Sequence, residues 1–154
     1  MTFVAQAELI IDAPAARVFD RLADFAAWPS WMPASFVPLV PAGRPSPLRL
    51  GERFRVKVGG APFASTLRLS VCQRPREIAW RGGLRGVLWA EHRFVLEPSG
   101  ENHTRVRSIE TWRGALSGLT RRFVKPLAEK IGGEQPAGLT RASGSTSGRI
   151  YGTD

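Results

Sequence analysis

The chain has 154 residues and a formal net charge of +9, nearly all of it from arginine. That length suits one domain rather than two, and a hydrophobic fraction of 43% is enough for a real core. No apolar run approaches the roughly 20 residues that carry a helix across a bilayer, and Cys72, the one cysteine, rules out an intramolecular disulfide.

Residues 1–11 have no basic region ahead of their apolar ones and do not read as a signal peptide. A reducing, cytoplasmic setting is the expectation. The positive charge is scattered rather than blocked, which fits a protein from an arginine-rich, GC-rich bacterial genome. No RNA-binding aromatic motif, zinc-ligand spacing or helix-turn-helix pattern accompanies it, so no nucleic-acid partner is expected.

Residues 3–11 are apolar and β-branched and predict a first strand. Asp12 is a good helix N-cap and Pro14 fits a first turn. Val18, Phe19 and Leu22 then share one face of a helix over 15–23. Residues 25–32 predict a second short helix, with Pro29 in its first turn and Pro33 as its stop. Residues 35–40 predict an edge strand or loop, since Pro41, Pro45 and Pro47 follow.

From residue 51 the period is two. Phe54, Val56 and Val58 alternate with charged residues over 51–58. Over 63–71, Phe63, Ser65, Leu67, Leu69 and Val71 share a face. Ile78 and Trp80 point inward over 77–81, where Gly82-Gly83 predicts a strand end. Leu88, Ala90, His92, Phe94 and Leu96 line one face over 87–96. Pro98-Ser99-Gly100 predicts a turn, and 104–112 puts Thr104, Val106, Ser108, Glu110 and Trp112 on the same face.

Beyond Gly114 the period becomes helical, with Leu116, Leu119, Phe123, Leu127 and Ile131 on one face and Arg121, Arg122, Lys125 and Lys130 on the other. Pro126 predicts a kink, and Gly132-Gly133 ends the helix. Residues 132–154, rich in Gly, Ser and Thr, predict a flexible tail. The long sheet needs cover on its apolar face, and the terminal helix is the element left to supply it. One helix across a curved sheet leaves a gap suited to a ligand.

Asp12-Ala13-Pro14-Ala15-Ala16-Arg17-Val18-Phe19 resembles the strand-to-helix entry of the START-like superfamily (SRPBCC, Bet v 1-like). The stretch Asp24-Phe25-Ala26-Ala27-Trp28-Pro29-Ser30-Trp31-Met32-Pro33 resembles that family's aromatic-proline segment. Gly51-Glu52-Arg53-Phe54, Glu77-Ile78-Ala79-Trp80-Arg81-Gly82, His92-Arg93-Phe94-Val95-Leu96-Glu97-Pro98 and Thr104-Arg105-Val106 resemble its successive strands. The resemblance covers about residues 3–131 and implies an α+β helix-grip fold. Such a fold is a curved antiparallel sheet of about seven strands around a C-terminal helix, with two short helices after the first strand. It implies a ligand-binding domain over 1–131 with a cavity for hydrophobic or amphipathic small molecules. Lipid carriers, polyketide cyclases, hormone receptors and a co-chaperone domain all share it. The glycines after Ile131 cut the terminal helix short of the family's usual length, which makes an open groove the expectation.

Trp80 and Trp112 fall on inward positions, and Trp28 and Trp31 are expected to pack a short helix against the sheet edge near the pocket mouth. For all five tryptophans structural packing is the reading set against a ligand role. Trp28, Trp31, Trp80 and Trp112 form the expected apolar walls with Phe54, Val56, Leu67, Leu69, Phe94, Phe123 and Leu127. His92, Ser108 and Glu110 supply one polar spot. If the hairpin pairs residue 98 with 102, His92 faces Ser108 and lies diagonal to Glu110, about 7–8 Å away at Cα. Such a pair in an apolar pocket can exchange protons with a ligand carbonyl or phenol, or simply satisfy itself or anchor a ligand. Trp89 is expected on the outer face. No metal-ligand cluster, phosphate cradle or nucleophile elbow is present, so neither metal nor cofactor is expected.

The first functional expectation is a non-catalytic carrier of a hydrophobic or amphipathic small molecule. The second is an enzyme of the polyketide cyclase/dehydratase kind using His92 and Glu110 as acid and base, and the third a co-chaperone-like interaction domain. The basic face of 114–131 can either meet an anionic membrane surface or stand in solvent. A monomer or a homodimer is expected.

Overall fold

The computed structural model describes residues 2–34, 36–43, 46–58, 63–84 and 86–115. The expected terminal helix over 114–131, with Phe123, Leu127, the Pro126 kink and its basic face, falls outside them from residue 116 on. So does the expected tail over 132–154.

Seven strands form one antiparallel sheet: β1 (Thr2–Ile11), β2 (Phe36–Leu39), β3 (Arg53–Val58), β4 (Ser65–Gln73), β5 (Glu77–Leu84), β6 (Leu88–Pro98) and β7 (Thr104–Arg113). Their order is β1-β7-β6-β5-β4-β3-β2, so β7 returns to pair beside β1. Helix α1 (Ala15–Ala23) and a 3-10 helix (Phe25–Ser30) follow β1, as the helix-grip reading requires. Only β2, which carries Pro38, and β1 stand at the edges, and an edge is where a proline's missing donor is tolerated.

The helix α1 is amphipathic and buries Ala15, Val18, Phe19, Leu22 and Ala23. Those side chains join Leu9, Ile11, Ile78, Phe94, Leu96 and Val106 in one continuous core. At the other end of that core, Phe25 and Trp28 of the 3-10 helix meet Phe54 and Trp80 with ring centroids 4.9–6.2 Å apart.

Local details depart from the sequence expectation for identifiable reasons. Pro14, not Asp12, occupies the N-cap of α1 and makes no side-chain cap. Asp12 turns instead to His103, 3.2 Å away across the β6–β7 end. Pro29 sits late in the 3-10 helix rather than in its first turn, and the helix ends at Ser30, ahead of Pro33. Phe63 precedes β4 and is 71% exposed. A bulge between Leu69 and Val71 then reverses the alternation, so Cys72 rather than Val71 packs against the core.

Gly82 and Gly83 do not end β5; they lie inside it. A Cβ on Gly82 would sit 2.6 Å from both the Thr66 carbonyl oxygen and a Leu67 methyl. Gly83 has φ +114, and its Cβ would sit 2.4 Å from the Leu88 carbonyl oxygen. The pair lets β4, β5 and β6 approach one another closely, which a turn reading could not foresee. Gly82→Ala is therefore expected to destabilise the fold by about 1–3 kcal/mol. Equal urea midpoints for the variant and the parent would refute the close-approach account.

Candidate functional site

The inner face of β5, β6 and β7 is arranged in cross-strand rows. Trp80 lies opposite His92, and His92 lies opposite Glu110. One row nearer the sheet end, Leu67, Gly82, Ala90 and Trp112 lie side by side. The second row contains two very small residues between larger ones. Their missing side chains leave a cavity of about 170 Å³. Phe36, Val58, Leu67, Trp80, Leu88 and Trp112 supply its apolar walls, Gly82, Gly83 and Ala90 its floor, and Ser65, His92 and Glu110 its polar groups.

The β6–β7 hairpin sets which residues meet. Pro98 pairs with Thr104, not with residue 102, because five residues loop between them and Ser99 N–H donates to the His103 carbonyl. The shift of two residues preserves the inward face but moves Glu110 from the diagonal to directly opposite His92. Ser108 instead lies opposite Phe94.

His92 is 4% exposed, stacks on Phe94 at 4.5 Å between ring centroids, and leans on Trp80 at 5.5 Å. Its Nε2 is 2.8 Å from Ser108 Oγ. Burial without a counter-charge pushes its pKa down to about 3, so the ring is neutral at physiological pH. Glu110 is 8% exposed, and burial pushes its carboxyl up to about 8. The nearby Trp112 indole N–H opposes that shift. Even so, neither Glu110 Oε2 nor Trp112 Nε1 has a hydrogen-bond partner of ordinary geometry. Near neutral pH the site thus holds a neutral imidazole and a protonated carboxyl facing each other.

Of the residues expected at the pocket, Leu67, Trp80, His92, Glu110 and Trp112 line this cavity. Trp28, Trp31, Phe54, Val56, Leu69 and Phe94 belong to the packed core. Ser108 is buried and serves His92. Sequence reasoning missed Phe36, Leu88 and the Gly82–Ala90 floor; two small inward residues on neighbouring strands were the available signal. Trp89 lies on the outer face beneath the Arg81 guanidinium, 5.7 Å from its ring. Among the described residues no three His, Cys, Asp or Glu side chains gather as metal ligands. Nor, among them, is any helix long and apolar enough to cross a membrane.

Comparison with known families matches residues 2–142 to the family described as polyketide cyclase/dehydrase and lipid transport. No curated protein matches the chain. Among solved structures, a hypothetical protein from Helicobacter pylori, jhp0584, superimposes with a TM-score of 0.70 at 19% identity, covering 92% of this chain and 88% of that one. The Zhui aromatase/cyclase from Streptomyces sp. R1128 gives 0.68 at 15% identity, covering 93% and 94%. Norcoclaurine synthase from Thalictrum flavum, in complex with dopamine and hydroxybenzaldehyde, gives 0.68 at 10% identity, covering 96% and 90%. At such identities these likenesses carry the fold alone.

Proposed function

The chain belongs to the polyketide cyclase/dehydrase and lipid transport family, and from that premise we propose that it binds a small, largely apolar molecule of about one ring in the cavity beneath Trp80, His92 and Trp112. The observation that carries this reading is the cavity itself: about 170 Å³, apolar on most sides and polar at one end. An apolar cavity of about 150 Å³ takes up benzene, whereas drug-sized ligands need roughly 300–1,000 Å³. A long acyl chain or a multi-ring polyketide therefore fits poorly between the described walls.

Titrating the purified chain with toluene and phenol by ligand-observed NMR tests the reading. Saturable binding is expected, and Ala90→Leu, which fills the floor, is expected to abolish it while the far-UV circular dichroism stays unchanged. Failure of both probes to bind saturably, or equal binding in Ala90→Leu, would overturn it.

A second reading is favoured by one feature, the buried Glu110 carboxyl that stays protonated near neutral pH. Such a group is a competent general acid toward a bound carbonyl. His92 does not complete an acid–base pair, because its low pKa makes it a weak base and Ser108 engages its Nε2. On this reading catalysis rests on Glu110 alone, and Glu110→Gln removes turnover while leaving ligand affinity in place.

A further inference from the structure

We propose that the polar end of the cavity selects an uncharged ligand bearing a hydroxyl or carbonyl group, held between the Glu110 carboxyl and the Trp112 indole N–H, over charged ligands of the same size. This rests on the cavity-binding reading above and specifies its chemistry. Glu110 and Trp112 are two apart on β7, so both side chains leave the same face of the strand, and both line the cavity. Each carries a buried polar atom, Oε2 and Nε1, that lacks a hydrogen-bond partner of ordinary geometry, although the indole N–H lies near enough to the carboxyl to hold its pKa down somewhat. Buried polar groups are almost always satisfied, and two under-satisfied atoms on residues that line one cavity point to a ligand's polar group as the missing partner.

The neighbouring groups do not compete for that role. Opposite Glu110, His92 on β6 spends its Nε2 on Ser108, and Ala5 on β1 offers no side-chain polar atom. Other buried nitrogens without partners, those of Arg21, Trp31 and Arg107, lie away from the cavity lining. An indole N–H only donates, while a protonated carboxyl both donates and accepts. A hydroxyl can accept from the indole and exchange a hydrogen bond with the carboxyl; a carbonyl can accept from both.

Charged ligands meet a penalty at this end. No lysine or arginine is among the described residues of the lining, so none of the described walls offers a ligand carboxylate a counter-charge for the hydration it gives up. An ammonium needs Glu110 to release its proton, and burial holds that proton up to about pH 8. A purely apolar ring fills the space but leaves both atoms under-satisfied.

Binding of phenol, cyclohexanone, toluene, benzoate and benzylammonium to the full chain at pH 6, followed by NMR titration, tests the inference. Phenol and cyclohexanone are expected to bind about 10-fold more tightly than toluene, with no saturable binding of benzoate or benzylammonium. Trp112→Phe is expected to weaken phenol and cyclohexanone several-fold and leave toluene unchanged. Glu110→Gln, whose amide also donates and accepts, is expected to keep the preference. Toluene binding as tightly as phenol would overturn the inference while leaving the cavity reading standing, and so would either charged probe matching phenol. Failure of every probe, toluene included, would instead bring down the cavity reading and this inference with it.

Discussion

Trp28→Ala is expected to lower the stability of the fold by about 3–5 kcal/mol, which would make it among the most damaging single changes in the described chain. The indole is fully buried, with the Phe25 and Trp80 rings 4.9 Å away and the Phe54 ring at 5.3 Å. Truncation opens a void at the meeting point of the 3-10 helix and the sheet. It also strips the Leu22 carbonyl of its partner, since Trp28 Nε1 donates to it at 2.9 Å. Trp28→Phe keeps part of the ring volume but not that hydrogen bond, and an intermediate loss of about 1–3 kcal/mol follows. Trp89→Ala is the control, because Trp89 is half-buried on the outer face with the Arg81 guanidinium above it. Its loss is expected near 1 kcal/mol. Urea denaturation of the three variants measures all of this. A Trp28→Ala loss no larger than that of Trp89→Ala would mean that the aromatic cluster does not anchor the 3-10 helix.

That cluster also marks the limit of what the sequence made legible. Alternation alone placed β3, β6 and β7 and their inward residues, because a half-buried strand writes its two faces into every second position. The resemblance supplied the arrangement of sheet and helices that alternation cannot. Three features escaped because each depends on a contact between distant segments. Trp28 packs its short helix against the sheet as expected, but it does so in the core against Phe54 and Trp80 rather than at the sheet edge near a pocket mouth. The bulge after Leu69 reverses a face that strict alternation would have carried on to Val71. Gly82-Gly83 reads locally as a turn, and only the nearness of Thr66 and Leu88 explains why glycine stands inside a strand.

The candidate site divides the same way. Its membership in His92 and Glu110 followed from parity, which a two-residue change in hairpin length leaves intact. Their opposition across β6 and β7 depended on the loop between Pro98 and Thr104 and was not readable in advance. The void beside them arises from Gly82 and Ala90, positions that carry no chemistry of their own. A search of the sequence for reactive side chains passes over such positions.

The pair of buried titratable groups predicts a specific pH profile of stability. Glu110 titrates near 8 in the folded chain against 4.5 as a free side chain. Between those values the folded state keeps a proton that the unfolded state has lost, so stability falls as pH rises through that interval. His92 titrates near 3 when folded against 6.5 when free. There the unfolded state binds the extra proton, so stability falls as pH drops. From 4.5 to 6.5 the two slopes oppose each other, and the profile should be nearly flat. Above 6.5 only the Glu110 slope remains, about 1.4 kcal/mol per pH unit, for a loss of about 2 kcal/mol by pH 8. Below 4.5 the His92 slope remains, joined by a smaller contribution from Asp20, whose carboxyl the exposed Arg74 pair holds below its usual range. Urea unfolding at intervals from pH 3 to 9 reads both limbs. Glu110→Gln should flatten the alkaline limb and leave the His92 slope unopposed from pH 6.5 downward, and His92→Gln should flatten the acid limb and leave the Glu110 slope unopposed from pH 4.5 upward. A parent profile that stays level between pH 6.5 and 8 would mean that Glu110 is ionised in the folded chain. A proton-donating carboxyl at the cavity's polar end would then be lost, along with the case for Glu110 as a general acid.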